Sequence, residues 1–438
     1  MKIRYSVILL FLGVTLLSAR AQKLWTLQEC IDYTLENNLS LRLQELDVKD
    51  KEVLLKSARN QALPNLSGSV NLTESFNFSG SSDNTFSQGN SFNTGFGASA
   101  GMPLFNGFAI RNSVSQARVD REAAEYNLES RKNNVLLLLL QSYLDILMKK
   151  ELVTIAEEQL ASTQKEKEAV EIKYEVGEVS KDIYLENLAQ EARETATLNE
   201  AKNNLAYSRL VMAHILDLEN PEEFDVVTLK LPEVMAKVTL YNAAILFNET
   251  KLTWPDIKSA EKNLESSEYM VAQAKSGYYP SISAFAGYSA NYYNTSNLSF
   301  SDQLDAYSRP YLGVNVNIPI FSRLSNRNNV KRAKLNYDAM DLQLALVENQ
   351  LRETIKEAYV SAVAAQSNYE SAQKTLDATK ESFRFAEEKY KVGAISPYDY
   401  NTSKSQLMQA ESEMLRSKYQ FIFSSKVLEF YKNNNITF

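Results

Sequence analysis

Residues 102–112 read MPLFNGFAIRN, and residues 318–328 read IPIFSRLSNRN. Pro103, Phe105, Arg111 and Asn112 of the first stretch align with Pro319, Phe321, Arg327 and Asn328 of the second, and the offset (319 − 103 for the prolines) is 216 in every case. The spacing holds in both directions outward. Pro64 in ALPNLS returns as Pro280 in YYPSIS, and Gly177 in YEVGEVS returns as Gly393 in YKVGAIS, again 216 apart. A constant offset over more than a hundred residues means two copies of one structural unit. The period far exceeds the roughly 20–50 residues of solenoid repeats. The chain therefore reads as a duplicated half-molecule with approximate internal two-fold symmetry.

Within one copy the hydrophobic period changes in a fixed order. Residues 25–61 read as helix: LWTLQECIDYTLENN gives one amphipathic series and Leu41–Ala62 another, stopping before Pro64. From Leu66 the period becomes two. Leu66, Gly68, Val70, Leu72 and, after Glu74, Phe76 and Phe78 fall on one face, and Ser67, Ser69, Asn71, Thr73, Ser75 and Asn77 on the other. SGSSDNTFSQGN (79–90) reads as a polar loop, followed by a second alternating run to Met102. The second copy alternates in the same way from Ile282 to Tyr292 and from Leu312 to Ile318, around a loop near 294–309. Each copy thus carries one long hairpin with an apolar face and a small or polar face.

A very long helix follows each hairpin. No glycine or proline lies between Phe108 and Val176, a stretch of about 100 Å if continuous. In the second copy Val330, Ala333, Tyr337, Met340, Leu344, Val347 and Leu351 keep coiled-coil spacing. Gly177 and Gly393 end these helices, and Ser180 and Ser396 can cap the next ones, so each copy closes with an antiparallel helical hairpin. Between the copies Pro221 and Pro232 bracket a short strand predicted over Phe224–Leu231.

Composition narrows the function. Lys2 and Arg4, the apolar run Val7–Leu17 and the small-x-small site Ala19-Arg20-Ala21 predict a secretory leader, with the exported chain starting at Gln22. Loss of Lys2, Arg4 and Arg20 takes the net charge from −7 to −10, which argues against a nucleic-acid partner. Cys30 is the only cysteine, so no internal disulfide forms, and it reads as a plain helix residue rather than a lipid anchor. His214 is the only histidine. One His and one Cys do not make the usual zinc site or a Cys–His nucleophile system, and no glycine-rich phosphate loop is present. No enzyme is expected, and no cofactor or metal. The strongest apolar run after the leader, Val135–Leu140, is six residues and far too short to span a bilayer as a helix.

Any membrane entry must then use the strands. A soluble sheet would pack its apolar face on a core, whereas a transmembrane barrel turns that face to lipid. Four strands do not close a barrel, because small barrels need about eight. Open edges in lipid leave backbone groups unpaired at several kcal/mol each. Membrane strands here would have to be pooled among several chains.

Helix, strand pair, long helix, glycine reversal and return helix, twice over, resembles the TolC family of outer-membrane efflux channels. The motifs that carry the likeness are the P-[LI]-F entries at 103–105 and 319–321, the VGxxS tips at 176–180 and 392–396, and the opening TLQECIDYTLENN. The resemblance implies a mainly α fold with membrane β-structure, in which a homotrimer pools four strands per chain into a twelve-stranded β-barrel. Long helical hairpins form a trimeric α-barrel across the periplasm. The corresponding layout is a leader at 1–21 and a first repeat at 22–216, with strands about 66–78 and 91–102, a long helix about 108–176 and a return helix about 180–214. An equatorial insert at 217–238 precedes a second repeat at 239–432. Its strands fall at about 281–293 and 310–318, its long helix at about 322–392 and its return helix at about 396–432, before a tail at 433–438. The implied function is the passive exit duct of a tripartite efflux pump in the outer membrane of a Gram-negative bacterium, extending into the periplasm. Its partners would be a periplasmic adaptor and an inner-membrane transporter. Alternatives are the exit duct of a type I protein secretion system, or a secreted coiled-coil protein with no channel.

The resemblance also places the sites. Val176, Gly177, Val179 and Ser180, with Val392, Gly393, Ile395 and Ser396, match the adaptor-docking tips, although glycine and serine also serve the chain reversal itself. Asp399 falls at the first aspartate of the family's closing ring. The usual second aspartate is Thr402 here, which leaves the pair incomplete. Asp182 and Glu186 lie near the equivalent turn of the first copy. The alternative for these acids is favourable placement at a helix start. Phe78, Phe92, Phe105, Tyr292, Tyr293, Tyr311 and Phe321 suit bilayer interfaces or ordinary packing.

Overall fold

A computed structural model describes residues 24–80, 86–228 and 242–434. The leader, the part of the insert beyond 228 and the last residues of the tail lie outside the described residues. The elements run in the order β1 (Leu24–Trp25), α1 (Leu27–Asn37), α2 (Leu39–Asn60), β2 (Asn65–Gly80), β3 (Phe86–Asn106), α3 (Ala109–Glu175) and α4 (Lys181–Ile215). They continue with β4 (Asp225–Val226), α5 (Ala243–Lys251), α6 (Pro255–Lys275), β5 (Ser281–Tyr293), α7 (Phe300–Ala306), β6 (Arg309–Asn317), α8 (Ser325–Lys391) and α9 (Pro397–Asn433). The chain divides into two compact units that cut across the sequence repeats. One comprises residues up to 38, 135–240 and 361–427, and the other 39–134, 241–360 and 428–438.

The first unit is helical apart from one short parallel pairing, β1 with β4. Residues 25–61 therefore are not helix throughout. Trp25 is drawn into β1, where its ring meets Tyr33 at 5.2 Å and Phe224 at 6.1 Å. Thr26 then opens α1 through a capping box: Glu29 N–H donates to Thr26 Oγ1, and Thr26 N–H donates to the Glu29 carboxylate. Asn38 breaks the helix with extended backbone, and its side chain donates to Ile215 O at 2.9 Å. Cys30 is fully buried on α1. The predicted strand at 224–231 is described only as β4. Asp225 anchors it. Its carboxylate takes a two-point contact from Arg209 (3.1 and 2.9 Å), an ion pair from Lys150 (2.7 Å) and the Val226 N–H. The fully buried Tyr143 hydroxyl donates to Val227 O at 3.0 Å. Burial pushes that phenol up to about 12, which keeps it protonated as a donor.

The second unit holds the antiparallel sheet, in order β2-β3-β5-β6. The reading of 79–90 as a loop is too wide, since the β2–β3 ladder continues to Gly80 opposite Phe86. The interval 294–309 also reads as a loop, yet it contains α7, capped by Ser299. Below the sheet, α6 lies close to α3 because small residues face it. Ser259 Oγ donates to Asn127, and Lys262 pairs with Glu122 at 2.9 Å. Lys251 of α5 pairs with Glu348 of α8, and Arg352 stacks over Phe247. Trp254 packs edge-on against Phe430, near the end of α9.

The long helices form because α3 and α8, 67 residues each, contain neither glycine nor proline. Leu351 of the coiled-coil seam on α8 is buried, and its other seam positions are half-buried. A second stripe on α8 (Leu335, Leu342, Leu346) is exposed, as is one on α2 (Leu39, Leu43, Leu46, Val53).

Asp225 is held between two cations with little access to water. Replacing it by alanine leaves Arg209 and Lys150 facing each other without a counter-ion, Lys150 keeping only its bond to Val226 O, a loss of about 2–4 kcal/mol. Thermal unfolding of Asp225→Ala followed by circular dichroism should show a markedly lower midpoint. An unchanged midpoint would remove the anchor role.

Candidate functional site: strand wall and helical tips

Strand register decides which side chains share a face. Leu66 lies opposite Ala100, Val70 opposite Phe96, Ala100 opposite Ala286 and Ala286 opposite Leu312. Since directly opposed residues point the same way, the apolar runs of all four strands meet on one face. Ser67 opposite Ser99 and Asn71 opposite Gly95 lie on the other. The apolar face is open: Leu66 is 81% exposed and Leu312 84%. Both edge strands, β2 and β6, are paired on one side only. Among the described residues of the four long strands, only Thr94 and Ala290 are buried.

The aromatics are distributed unevenly. Phe92 and Tyr292 lie on the apolar face, whereas Tyr311 pairs with Gly287 on the polar face and packs against Phe285. Phe105 packs edge-on against Phe108, and Phe321 is exposed. The Phe78 side chain lies outside the described residues.

The two tips share one geometry. Gly177 has φ +79° and Gly393 φ +74°, with open space around both, so glycine is required by backbone conformation rather than by crowding. Each tip is a Schellman cap. Glu178 N–H donates to Lys173 O and Gly177 N–H to Tyr174 O; Ala394 N–H donates to Lys389 O and Gly393 N–H to Tyr390 O. Just outside the cap an exposed valine projects, Val176 at 72% and Val392 at 79% exposure. Val179 and Ile395 are half-buried, and Ser180 and Ser396 exposed.

The three acids are tied locally. Ser396 Oγ donates to Asp399 Oδ2 at 2.7 Å and accepts the Asp399 N–H. The Ser180 hydroxyl, with the Asp182 and Ile183 amides, holds the Asp182 carboxyl below its ordinary range. Glu186 pairs with Arg193 at 3.2 Å. No cluster of three or more His, Cys, Asp or Glu side chains among the described residues is arranged to hold a metal ion.

Two features escaped the sequence reading. Tyr174 stacks on Tyr184 at 5.2 Å, and Tyr390 on Tyr400 at 4.4 Å, so each hairpin is clasped near its tip by a tyrosine pair. The two pairs are 216 residues apart, a signal present in the repeat alignment. The second feature occurs in one copy only. Lys404 of α9, 3% exposed, donates to Thr163 Oγ1 at 2.7 Å and to both oxygens of Glu166 at 3.2 Å on α3, and the Tyr400 hydroxyl donates to the same carboxylate. Leu188 occupies the equivalent position in the first copy (404 − 216), so repeat comparison does not reveal it.

The outer membrane efflux protein of Brucella suis biovar 1 called BepC is 19% identical over 417 residues, covering 95% of this chain and 87% of that one. The fold matches the CmeC outer membrane channel of Campylobacter jejuni with a TM-score of 0.76 at 21% identity, covering 94% of this chain and 86% of that one. It matches the outer membrane protein VceC of Vibrio cholerae with a TM-score of 0.74 at 15% identity, covering 92% and 95%. The family described as outer membrane efflux protein matches residues 30–216 and 246–431. With nearly all the described sequence inside that match, the chain belongs to the outer membrane efflux protein family and is a protein of the outer membrane.

Proposed function

We propose that three copies of this chain pool their sheets into a twelve-stranded barrel and form the exit duct of a tripartite efflux pump. The observation that carries this reading is the sheet with one bare apolar face and two unpartnered edges. In water the face would stay uncovered, and in lipid the edges would cost several kcal/mol per unpaired group. Joining β2 of one chain to β6 of the next satisfies the edges and gives the apolar face to lipid. Three sheets of four strands then suffice for closure.

The helices support the same arrangement. The open apolar stripes on α2 and α8 keep three-and-four spacing and suit coiled-coil partners on neighbouring copies. The two matched family segments begin 216 residues apart (246 − 30), in keeping with a duplicated layout of two repeats around an equatorial insert. The periplasmic helices form a tunnel, and no energy source is built into the chain, so transport is driven by partners. A periplasmic adaptor docks on the tips, where Val176 and Val392 offer apolar knobs beside Gly177, Val179, Ser180, Gly393, Ile395 and Ser396. Asp399, with Asp182 and Glu186 nearby on the first hairpin, supplies negative charge that favours cations at the periplasmic entrance.

Three measurements test these parts. Protein extracted from outer membranes in mild detergent should run as a detergent-dependent trimer by native mass; a soluble monomer would overturn the channel reading. Val392→Asp leaves the glycine cap intact but puts an unpaired carboxylate into the docking surface. Adaptor co-purification should fall about tenfold or more with the trimer unchanged, and full retention would exclude docking at that valine. Asp399→Ala keeps the N–H that Ser396 accepts, so the helix start survives. Planar-bilayer recordings should show reduced cation selectivity, and unchanged selectivity would remove Asp399 from the gate.

A further inference from the structure

Among its described residues the apolar face of the strand wall is largely open, and α7 sits on it at one place. Phe300, the first residue of α7, meets Phe96 at 6.3 Å and Tyr292 at 5.4 Å. By register Phe96 lies opposite Ala290 and Tyr292 opposite Thr94, so all four belong to the apolar face. Thr94 and Ala290 are the two buried residues of the wall among those described. The seat is specific. Gln303 is almost fully buried; its side chain accepts the Tyr293 N–H at 2.8 Å and donates to Leu298 O at 2.8 Å. Tyr307, just past α7, packs edge-on against Tyr293, the last residue of β5, which lies opposite Asn93 on the polar face, so the seat on the apolar face itself is made by Phe300. Despite this seating, Leu298 and Phe300 remain exposed, while Ser301, Asp302 and Asp305 give the segment a polar side.

We propose that α7 is an interfacial element lying on the outside of the barrel wall, with Leu298 and Phe300 among the acyl chains of the outer leaflet and its serine and aspartates at headgroup level. The inference rests on the barrel reading and follows from it geometrically, because whatever sits on the apolar face sits on the lipid side. The height also fits. Ala290 is eight residues above Ile282 on β5, which at the usual rise and tilt is about 20 Å. The apolar band of such barrels is about 25 Å tall, so α7 lies near its outer boundary. A short amphipathic segment with two bare apolar side chains, continuous with a lipid-facing wall, has lipid as its natural cover. The second outward connection then adheres to the membrane instead of arching over the pore mouth.

The test uses the full-length protein in proteoliposomes with Cys30 replaced by serine, carrying a single spin label at Leu298→Cys, Val314→Cys or Thr73→Cys. Val314 lies on the apolar face and Thr73 on the polar face. Relative accessibility to oxygen and to a water-soluble nickel chelate is then read by power saturation. Labels at Leu298 and Val314 should both show oxygen-to-nickel ratios several-fold above that at Thr73. If Val314 gives the high ratio and Leu298 matches Thr73, α7 faces water and the proposal fails while the barrel stands. If Val314 also matches Thr73, the barrel reading fails and takes the proposal with it. Leu298 is exposed and makes no side-chain hydrogen bond, so the labelled protein should fold normally.

Discussion

Backbone hydrogen bonds left open at β2 and β6 govern this molecule more than any side-chain contact. A strand edge is tolerable in water, where solvent pairs with it, and intolerable in hydrocarbon. The register that gathers Leu66, Val70, Ala286, Leu312 and Val314 on one bare face removes the aqueous option. A single chain thus carries an element that is stable neither in water nor, alone, in lipid. Pooling strands among copies meets both demands, and the number three in the proposed assembly comes from the resemblance to outer-membrane efflux channels. The helical layer also leaves apolar stripes uncovered, on α2 and on α8.

The helical tips obey a different economy. Their caps are made of backbone alone, so the turns do not depend on the valine side chains beside them. Positive φ fixes glycine at 177 and 393, the Schellman bonds fix the turn, and the projecting valines contribute nothing to either. The acids just beyond are partly spoken for. Asp399 and Asp182 each engage the serine that precedes their helix.

Much of this was legible in the sequence because the governing patterns are local. Period-two alternation marks Leu66–Phe78 and Ile282–Tyr292, and an interval free of glycine and proline marks α3 and α8. What was hidden depends on partners distant in sequence. Trp25 reads as helix because its residue type permits it; only pairing with Val226, some 201 positions on (226 − 25), makes it a strand. α7 is short, and Ser299 and Asp302 read as loop until Gln303 finds the Tyr293 amide. Residues 86–90 extend β3 because the opposite strand supplies their hydrogen bonds, an effect that no hydropathy pattern encodes. Lys404 reads as a surface charge, and only the arrival of Glu166 and Thr163 from another helix buries it.

The central pairing of the sheet carries a temporal cost. Asn93 of β3 pairs with Tyr293 of β5, and 200 residues separate them (293 − 93). The first hairpin is complete by Asn106, yet its neighbour begins only at Ser281. Pairings so remote form slowly, because the chain between them must be ordered or at least closed first. Throughout that interval the first hairpin has neither its sheet partner nor lipid to cover it, and it resembles the sticky, unpaired segments from which aggregates start. The hazard for this protein is therefore greatest in transit, after export and before the second half arrives. Its mature stability says little about whether it survives that passage.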